Sequence, residues 1–494
     1  MNIIMKKIFK IRYILLFFAM GIQFSCNNYL ELLPPGGLVR EEFWKTSSDV
    51  EAVLMGAYQT FAGMNGTLFT LGEARGDMVQ GDYSLGQNEI NLIESNIYPD
   101  NSYCDWSTFY KVIDYCNEVI TNAPAVQKID NTFTDFQLKG FLAEAYYIRS
   151  LSYFYLVRTF KDVPLVLEPS ESDAANFYLP KTNGDDVLKE MLKNLNDYRA
   201  FASDGYKTLA EVKGRATKAS IDALIADICL WTFDYNGCIE ACDRILSNNS
   251  FVLMPGARWF ELFYPGNSLE GIFEFQFNDK YLQKNSLYGM TNRNAHQYIP
   301  SQQAAQLFAR KYAVELTRGE EASIALLSVD NYLIWKYVGM APDGKTERSG
   351  LVQNSCNFII YRLADVYLMK AEALSQLGRF PEASDLLNKI RSRANVTPLV
   401  LSNSAVAYED AIMNERALEL AFEGKRWFDL LRMGRRNNFS RKDKLVEIIV
   451  SNVTSTQKRI LGAKLTNTNG WYLPISKSEI DRNKNLVQNP YYNY

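Results

Sequence analysis

The sequence predicts a mainly α-helical fold: about four helix pairs stacked in the tetratricopeptide manner, with long irregular loops and a few short strands. Three observations lead there. Residues 223–246 and 361–391 follow one plan of apolar helix, short aromatic turn, then a helix with a small residue after the turn. Tyr235 matches Phe380, Cys238 matches Ala383 and Ile245 matches Ile390, all at one offset. Helix hairpins of this kind cannot bury their apolar faces alone and stack on one another. Residues 106–160 and 408–432 carry helical spacing that fits two further, imperfect pairs. In 271–278, Gly-Ile-Phe-Glu-Phe-Gln-Phe-Asn alternates apolar and polar residues, the period of a strand.

Taken in order, Lys6, Lys7, Lys10 and Arg12 precede a short apolar run, residues 13–22, which reads as an export signal over 1–25. The run is too short for a lasting membrane span, which needs about 20 apolar residues. Cys26 follows at once and reads as a lipid-anchor cysteine, with Ser25 fitting the cleavage site and Asn27 fitting passage to an outer membrane. Ser47, Ser48 and Asp49 offer N-caps for a helix ending near Tyr58, beneath which Phe43 and Trp44 pack. From 63 to 105, Gly, Asn, Asp and Ser crowd out any helical period, so this insert reads as functional loops. Helices follow through Trp106, Phe109, Val112, Ile113, Cys116 and Ile120 and again over 136–160, with Pro164 ending helical structure. Residues 281–296 form a Tyr-, Asn- and Gly-rich loop, 331–338 a second strand-like run, and 340–355 a polar loop.

Composition narrows the function classes. Apolar residues at 47% of 494 supply a large core, and a net charge of -3 without a basic cluster in the body of the chain argues against nucleic-acid binding. The spacing of Cys104, Cys116, Cys229, Cys238, Cys242 and Cys356 is irregular, which predicts buried free thiols. His296 is the only candidate base for a serine or cysteine hydrolase and no Gly-x-Ser-x-Gly lies near it, no phosphate-cradling glycine loop is present, and no spacing marks a metal or cofactor site. The sequence therefore reads as a binding protein and not an enzyme.

Near the C-terminus stands Met413-Asn-Glu-Arg-Ala-Leu-Glu-Leu-Ala-Phe-Glu-Gly-Lys-Arg-Trp-Phe-Asp-Leu-Leu-Arg-Met-Gly434. Apolar residues fall mostly on one helical face, and Glu415, Glu419 and Glu423 alternate with cations, so the charges read as solvated or paired along and between turns. Residues 415–430 closely resemble the C-terminal signature of the SusD/RagB family of outer-membrane nutrient-binding lipoproteins. The opening from Cys26, the Ala143-Glu-Ala-Tyr-Tyr-Ile-Arg run and the closing Trp471-Tyr-Leu-Pro-Ile resemble the family as well. The resemblance implies one domain over 26–494, with halves 26–250 and 251–494 and the signature at 413–434. It also implies cell-surface capture of an oligosaccharide, lipid anchoring through Cys26, and delivery to a SusC-like TonB-dependent transporter. A peptide or other nutrient is the alternative ligand.

Sugars present apolar ring faces edged by hydroxyls, so their sites pair aromatic rings with planar hydrogen-bonding groups. Glu73, Arg75 and Asp77 form a charged cluster near Tyr83, Asn88, Tyr98 and Asn101, with Trp106 read as core; an ion-pair network is the other reading of the three charges. The resemblance places further ligand contacts in loops after the middle strands, here Tyr281, Tyr288, Asn292, Arg293, His296 and Trp335.

Overall fold

The computed structural model describes residues 43–170, 177–310, 315, 317–349, 354–451, 453 and 455–492; the expected signal segment and Cys26 lie outside them. The described residues divide between Lys45 and Thr46 into two units. Within the first, the Phe43 and Trp44 rings meet edge to face, centroids 5.2 Å apart.

In the second unit, α1 (Ser47–Ala62) opens one residue before the expected caps: the amide and hydroxyl of Thr46 both donate to Asp49 Oδ2, at 2.7 and 2.8 Å. The stretch expected to be irregular contains α2 (Asn65–Glu73), β1 (Val79–Gly81) and α3 (Gln87–Ile93). In α2 every residue from Leu68 to Glu73 is buried, polar Thr70 and Glu73 included, so no amphipathic period exists to be read.

The expected helices then follow as α4 (Ser107–Ile129) and α5 (Asp135–Phe160), packed along each other and against α1. Thr134 and Gln137 close a capping box at the start of α5. After α6 (Gly184–Tyr198) and α7 (Leu209–Gly214) come α8 (Lys218–Trp231) and α9 (Tyr235–Leu246), the first copy of the repeat.

The middle of the chain holds β2 (Gly271–Phe275), α10 (Leu287–Thr291), β3 (Tyr298–Pro300), α11 (Gln302–Phe308), β4 (Ile324–Ser328), β5 (Asn331–Ile334) and β6 (Phe358–Arg362). The strands pair antiparallel, β1 with β3, β2 with β6 and β4 with β5. The alternation in β2 predicts one wet face, but all five residues are buried. Glu274 is held there by donors from Asn267 N at 2.9 Å and Asn357 Nδ2 at 3.0 Å. The strand-like run from Asn331 stops at Ile334, and residues 335–338 continue as buried turn.

The second copy of the repeat is α12 (Leu363–Gln376) and α13 (Phe380–Arg393), and α9 packs on α12, so the two copies stack as the offset predicts. The signature spans the end of α14 (Ala405–Glu419) and most of α15 (Arg426–Phe439). α16 (Lys442–Val450), α17 (Ser455–Leu465) and α18 (Lys477–Arg482) complete the chain. Cys104, Cys116, Cys229, Cys238, Cys242 and Cys356 are buried free thiols, as expected.

The charges of the signature are not solvated. Asp429 pairs with Arg432 along α15 at 3.0 Å and with Arg416 of α14 at 2.7 Å, as the sequence reading allows, while the glutamates take cations from elsewhere in the chain. Glu415, Glu419, Glu423, Arg416, Arg426, Asp429 and Arg432 are all buried. Arg362, fully buried at the end of β6, donates to Glu270 at 2.7 Å, Glu419 at 2.5 Å and Glu423 at 2.8 Å. Arg318 reaches Glu415 at 2.7 Å and Glu419 at 2.9 Å, Lys336 Nζ reaches Glu423 at 2.9 Å, and Arg393 also contacts Glu419. Burial alone would raise the Glu419 pKa; Arg393, Arg362 and Arg318 overcome it and hold this carboxylate well below its usual range.

Between α14 and α15 the chain turns through Phe422 and Gly424, both at positive φ (64° and 73°). Gly72 of α2 lies against this turn so closely that an added Cβ would sit 1.8 Å from Gly424 O. Only glycine permits that approach.

Arg362→Ala leaves Glu270, Glu419 and Glu423 short of their shared cation. We expect a loss of about 3–5 kcal/mol, measured by chemical denaturation; a loss under about 1 kcal/mol would show the network to be incidental.

Candidate functional site

The ladder of β1 and β3 carries two loops to one surface. Its register, Val79↔Pro300, Gln80↔Ile299 and Gly81↔Tyr298, is extended by Asp82 N donating to Gln297 O at 2.8 Å. Residues 82–84 are thereby set beside 292–296.

The second loop is shaped by Asn292, just past α10. Its side-chain oxygen accepts from the amides of Asn294 at 2.8 Å and Ala295 at 3.0 Å, a local side-chain turn. This folds His296 back: Nδ1 lies 3.1 Å from Asn292 O and Nε2 lies 2.7 Å from Asp82 Oδ2. A backbone carbonyl only accepts, so Nδ1 is the donor there. Ser84 Oγ donates to His296 O at 2.5 Å. The two loops are thus pinned at three points around a buried imidazole.

Tyr83 is left outside. It is 84% exposed and meets the His296 ring edge to face at 6.0 Å. On the other side of the loop, the exposed Arg293 guanidinium stacks over Trp335 at 4.9 Å and donates to Glu347 Oε1 at 2.9 Å. Trp335 itself is buried, packed on Ala325 and Val338 with Phe260, Tyr288 and Met340 around it. The surface therefore combines one free aromatic face with a guanidinium, a carboxylate and amide groups, held on an apolar base. This is hydrogen-bonding and stacking chemistry.

Of the residues expected from sequence, Tyr288, Asn292, Arg293, His296 and Trp335 come together here, although Trp335 is a buried support beneath Arg293 rather than an open platform. Tyr98 and Tyr281 are exposed, but among the described residues no ring contact or hydrogen bond joins them to this group. Trp106 is core, as expected. Tyr83, Asp82, Ser84 and Glu347 complete the surface; the aromatic in a polar stretch was the only sequence signal for any of them.

Glu73, Arg75 and Asp77 require correction as ligand contacts. All three are buried, and they pair not with each other but with the C-terminal half. Glu73 Oε1 accepts from Gly424 N at 2.8 Å and Lys425 N at 3.2 Å. Asp77 takes Arg426 at both oxygens, at 2.5 and 2.9 Å. Arg75 donates to the carbonyls of Trp471 at 2.6 Å and Gly470 at 2.8 Å and lies over Trp427. Their place is to fasten the segment leading into β1 onto the signature turn.

Burial pushes the Glu73 carboxyl up to about 8, against donors at Lys425 and Gly424 that act to lower it. A carboxyl raised on folding contributes stability in acid and loses it as pH climbs from the unfolded value through the folded one, here from about 4.5 to about 8. Glu73→Gln keeps the accepting oxygen and removes the titration. Its thermal midpoint should gain on wild type progressively between pH 5 and pH 8; a constant difference across that window would refute a titrating Glu73.

Comparison with known proteins gives the same picture over most of the chain. A SusD family model matches residues 314–492, and a model described as "Starch-binding associating with outer membrane" matches residues 28–230. A SusD-like protein of Formosa agariphila is 26% identical over 498 residues, covering 90% of this chain and 94% of the relative. Among solved structures, a SusD superfamily protein from Bacteroides vulgatus superposes with a TM-score of 0.74 at 19% identity, covering 91% of this chain and 100% of the other. A laminarin-binding SusD-like protein superposes at 0.71 with 23% identity, covering 91% and 100%. With the helix-pair scaffold, the signature turn and these matches in both halves, the chain belongs to the SusD/RagB family of proteins.

Proposed function

We propose that this protein is a cell-surface glycan receptor, bound to the outer membrane through a lipid on Cys26, that captures an oligosaccharide at the Tyr83–Arg293 surface and passes it to a SusC-like TonB-dependent transporter. The observation that carries the reading is the Tyr83 ring, 84% exposed yet braced by a buried His296, with Arg293 and Asn292 in the adjoining loop. A sugar ring stacks on such a face, and its hydroxyl oxygens accept from the neighbouring Arg293 guanidinium. Binding is reversible and needs no catalytic base. The family model described as starch-binding and outer-membrane associated, and a laminarin-binding structural relative, support the ligand class and the location.

A peptide ligand is the second reading, favoured by the exposed Arg293–Glu347 pair, which could exchange partners with a charged side chain. Affinity electrophoresis of the chain from Asn27 in gels containing starch or laminarin separates the two. Retardation by a polysaccharide is expected, weakened about tenfold by Tyr83→Ala and again by Arg293→Ala, with the thermal midpoint unchanged. Retardation that both variants leave intact would remove this surface from the account, and binding only to a peptide pool would replace the glycan.

A further inference from the structure

We propose a second saccharide-binding site, in the cleft between α1 and the loop that follows β2. The cleft has a volume of about 650 Å³, lies apart from Tyr83, Arg293 and His296, and is lined by none of them.

Its chemistry is of two kinds. Met55 and Phe277 give it apolar walls, both half-buried and so open to a ligand. Gln59, Gln283 and Lys284 stand exposed on its lining and offer two amides and an ammonium. Gln276, also in the lining, is already committed: its amide exchanges hydrogen bonds with Asn267 at 2.9 and 3.0 Å. The floor is fixed by ion pairs, because Arg215 donates to Glu51 at 2.6 Å and to Glu144 at 2.8 and 2.9 Å. Apolar walls set beside two amides and an ammonium, over a floor whose charges are already paired, suit a polyhydroxylated ring better than a purely apolar molecule.

An independent sign is backbone strain at the cleft. Leu282 lines it at φ 60°, in the left-handed region that a leucine rarely adopts, and its side chain is 83% exposed. The backbone, which ends the turn of residues 279–281 with the Leu282 amide donating to Asp279 O at 3.0 Å, costs of order 1 kcal/mol, and the side chain buries little. Both are accounted for if Leu282 closes on the apolar face of a bound ring. Asn278 holds the strained turn in place, accepting at its carbonyl from the amides of Tyr281 at 3.0 Å and Gln283 at 3.1 Å.

The test is saturation-transfer NMR on the chain from Asn27 with maltotriose, laminaritriose and xylotriose. Three proteins are compared with wild type: Leu282→Gly, Gln283→Ala with Lys284→Ala, and Tyr83→Ala with Arg293→Ala. Glycine accepts the left-handed backbone, so Leu282→Gly should keep or raise the thermal midpoint while lowering saccharide binding. The expected result is a trisaccharide that wild type and the Tyr83/Arg293 variant both bind and that the two cleft variants bind about tenfold less. If the cleft variants bind every trisaccharide as wild type does, the second site is overturned while the Tyr83 surface stands. If wild type binds none of the three, the cleft is overturned as a saccharide site whatever the Tyr83 surface recognises.

Discussion

The ion pairs between Arg362 and the glutamates of the signature set the constraint that the rest of the molecule satisfies. A guanidinium and three carboxylates withdrawn from water cost several kcal/mol each unless every charge meets a partner, and here the partners come from far apart in sequence. Glu270 precedes β2, Arg362 ends β6, Glu419 ends α14 and Glu423 lies in the turn after it. Arg318, Lys336 and Arg393 bring in three more segments. Replacing such a network by apolar residues need not weaken a fold, but breaking any one member strands the others. Its physical effect is to specify which segments meet.

The constraint extends to the candidate site through backbone. The signature turn offers the amides of Gly424 and Lys425 to Glu73 and the Arg426 fork to Asp77. Those residues bracket the segment that leads into β1, and β1 fixes β3 by its register. Asp82 and His296 then follow as neighbours, and Tyr83 is turned outward. A surface made of two loops is therefore positioned by a buried turn of the helical scaffold, with Gly72 supplying the close approach that lets α2 seat against it.

Much of the scaffold was legible in the sequence because its helices obey simple periods. α8, α9, α12 and α13 follow the repeated plan, α4 follows its apolar spacing, and α5 is marked by a long aromatic-rich run though nearly all of its C-terminal half is buried. α2 was not legible, since a short helix enclosed on every side has no polar face to mark its period. The burial and distant partners of the signature glutamates were missed for a related reason: spacing along one helix cannot reveal a cation arriving from Arg318 or Arg362. Glu73, Arg75 and Asp77 resembled a binding cluster because polar residues in a loop-like stretch are usually exposed. In the candidate site, Arg293, Asn292 and His296 were visible as polar chemistry in one loop, whereas Asp82 and Ser84 acquire their place only through the pairing of β1 with β3.

The central claim is that the Tyr83–Arg293 surface holds the ligand while the buried charges hold the surface. A crystal structure of the chain from Asn27 soaked with laminaritriose and maltotriose tests it most directly. The account predicts a sugar ring parallel to the Tyr83 ring with hydroxyls within hydrogen-bond reach of Arg293 or Asn292, and the Asp82–His296 contact intact. Density for sugar elsewhere only, with the Tyr83 face bare in the bound crystal, would contradict it.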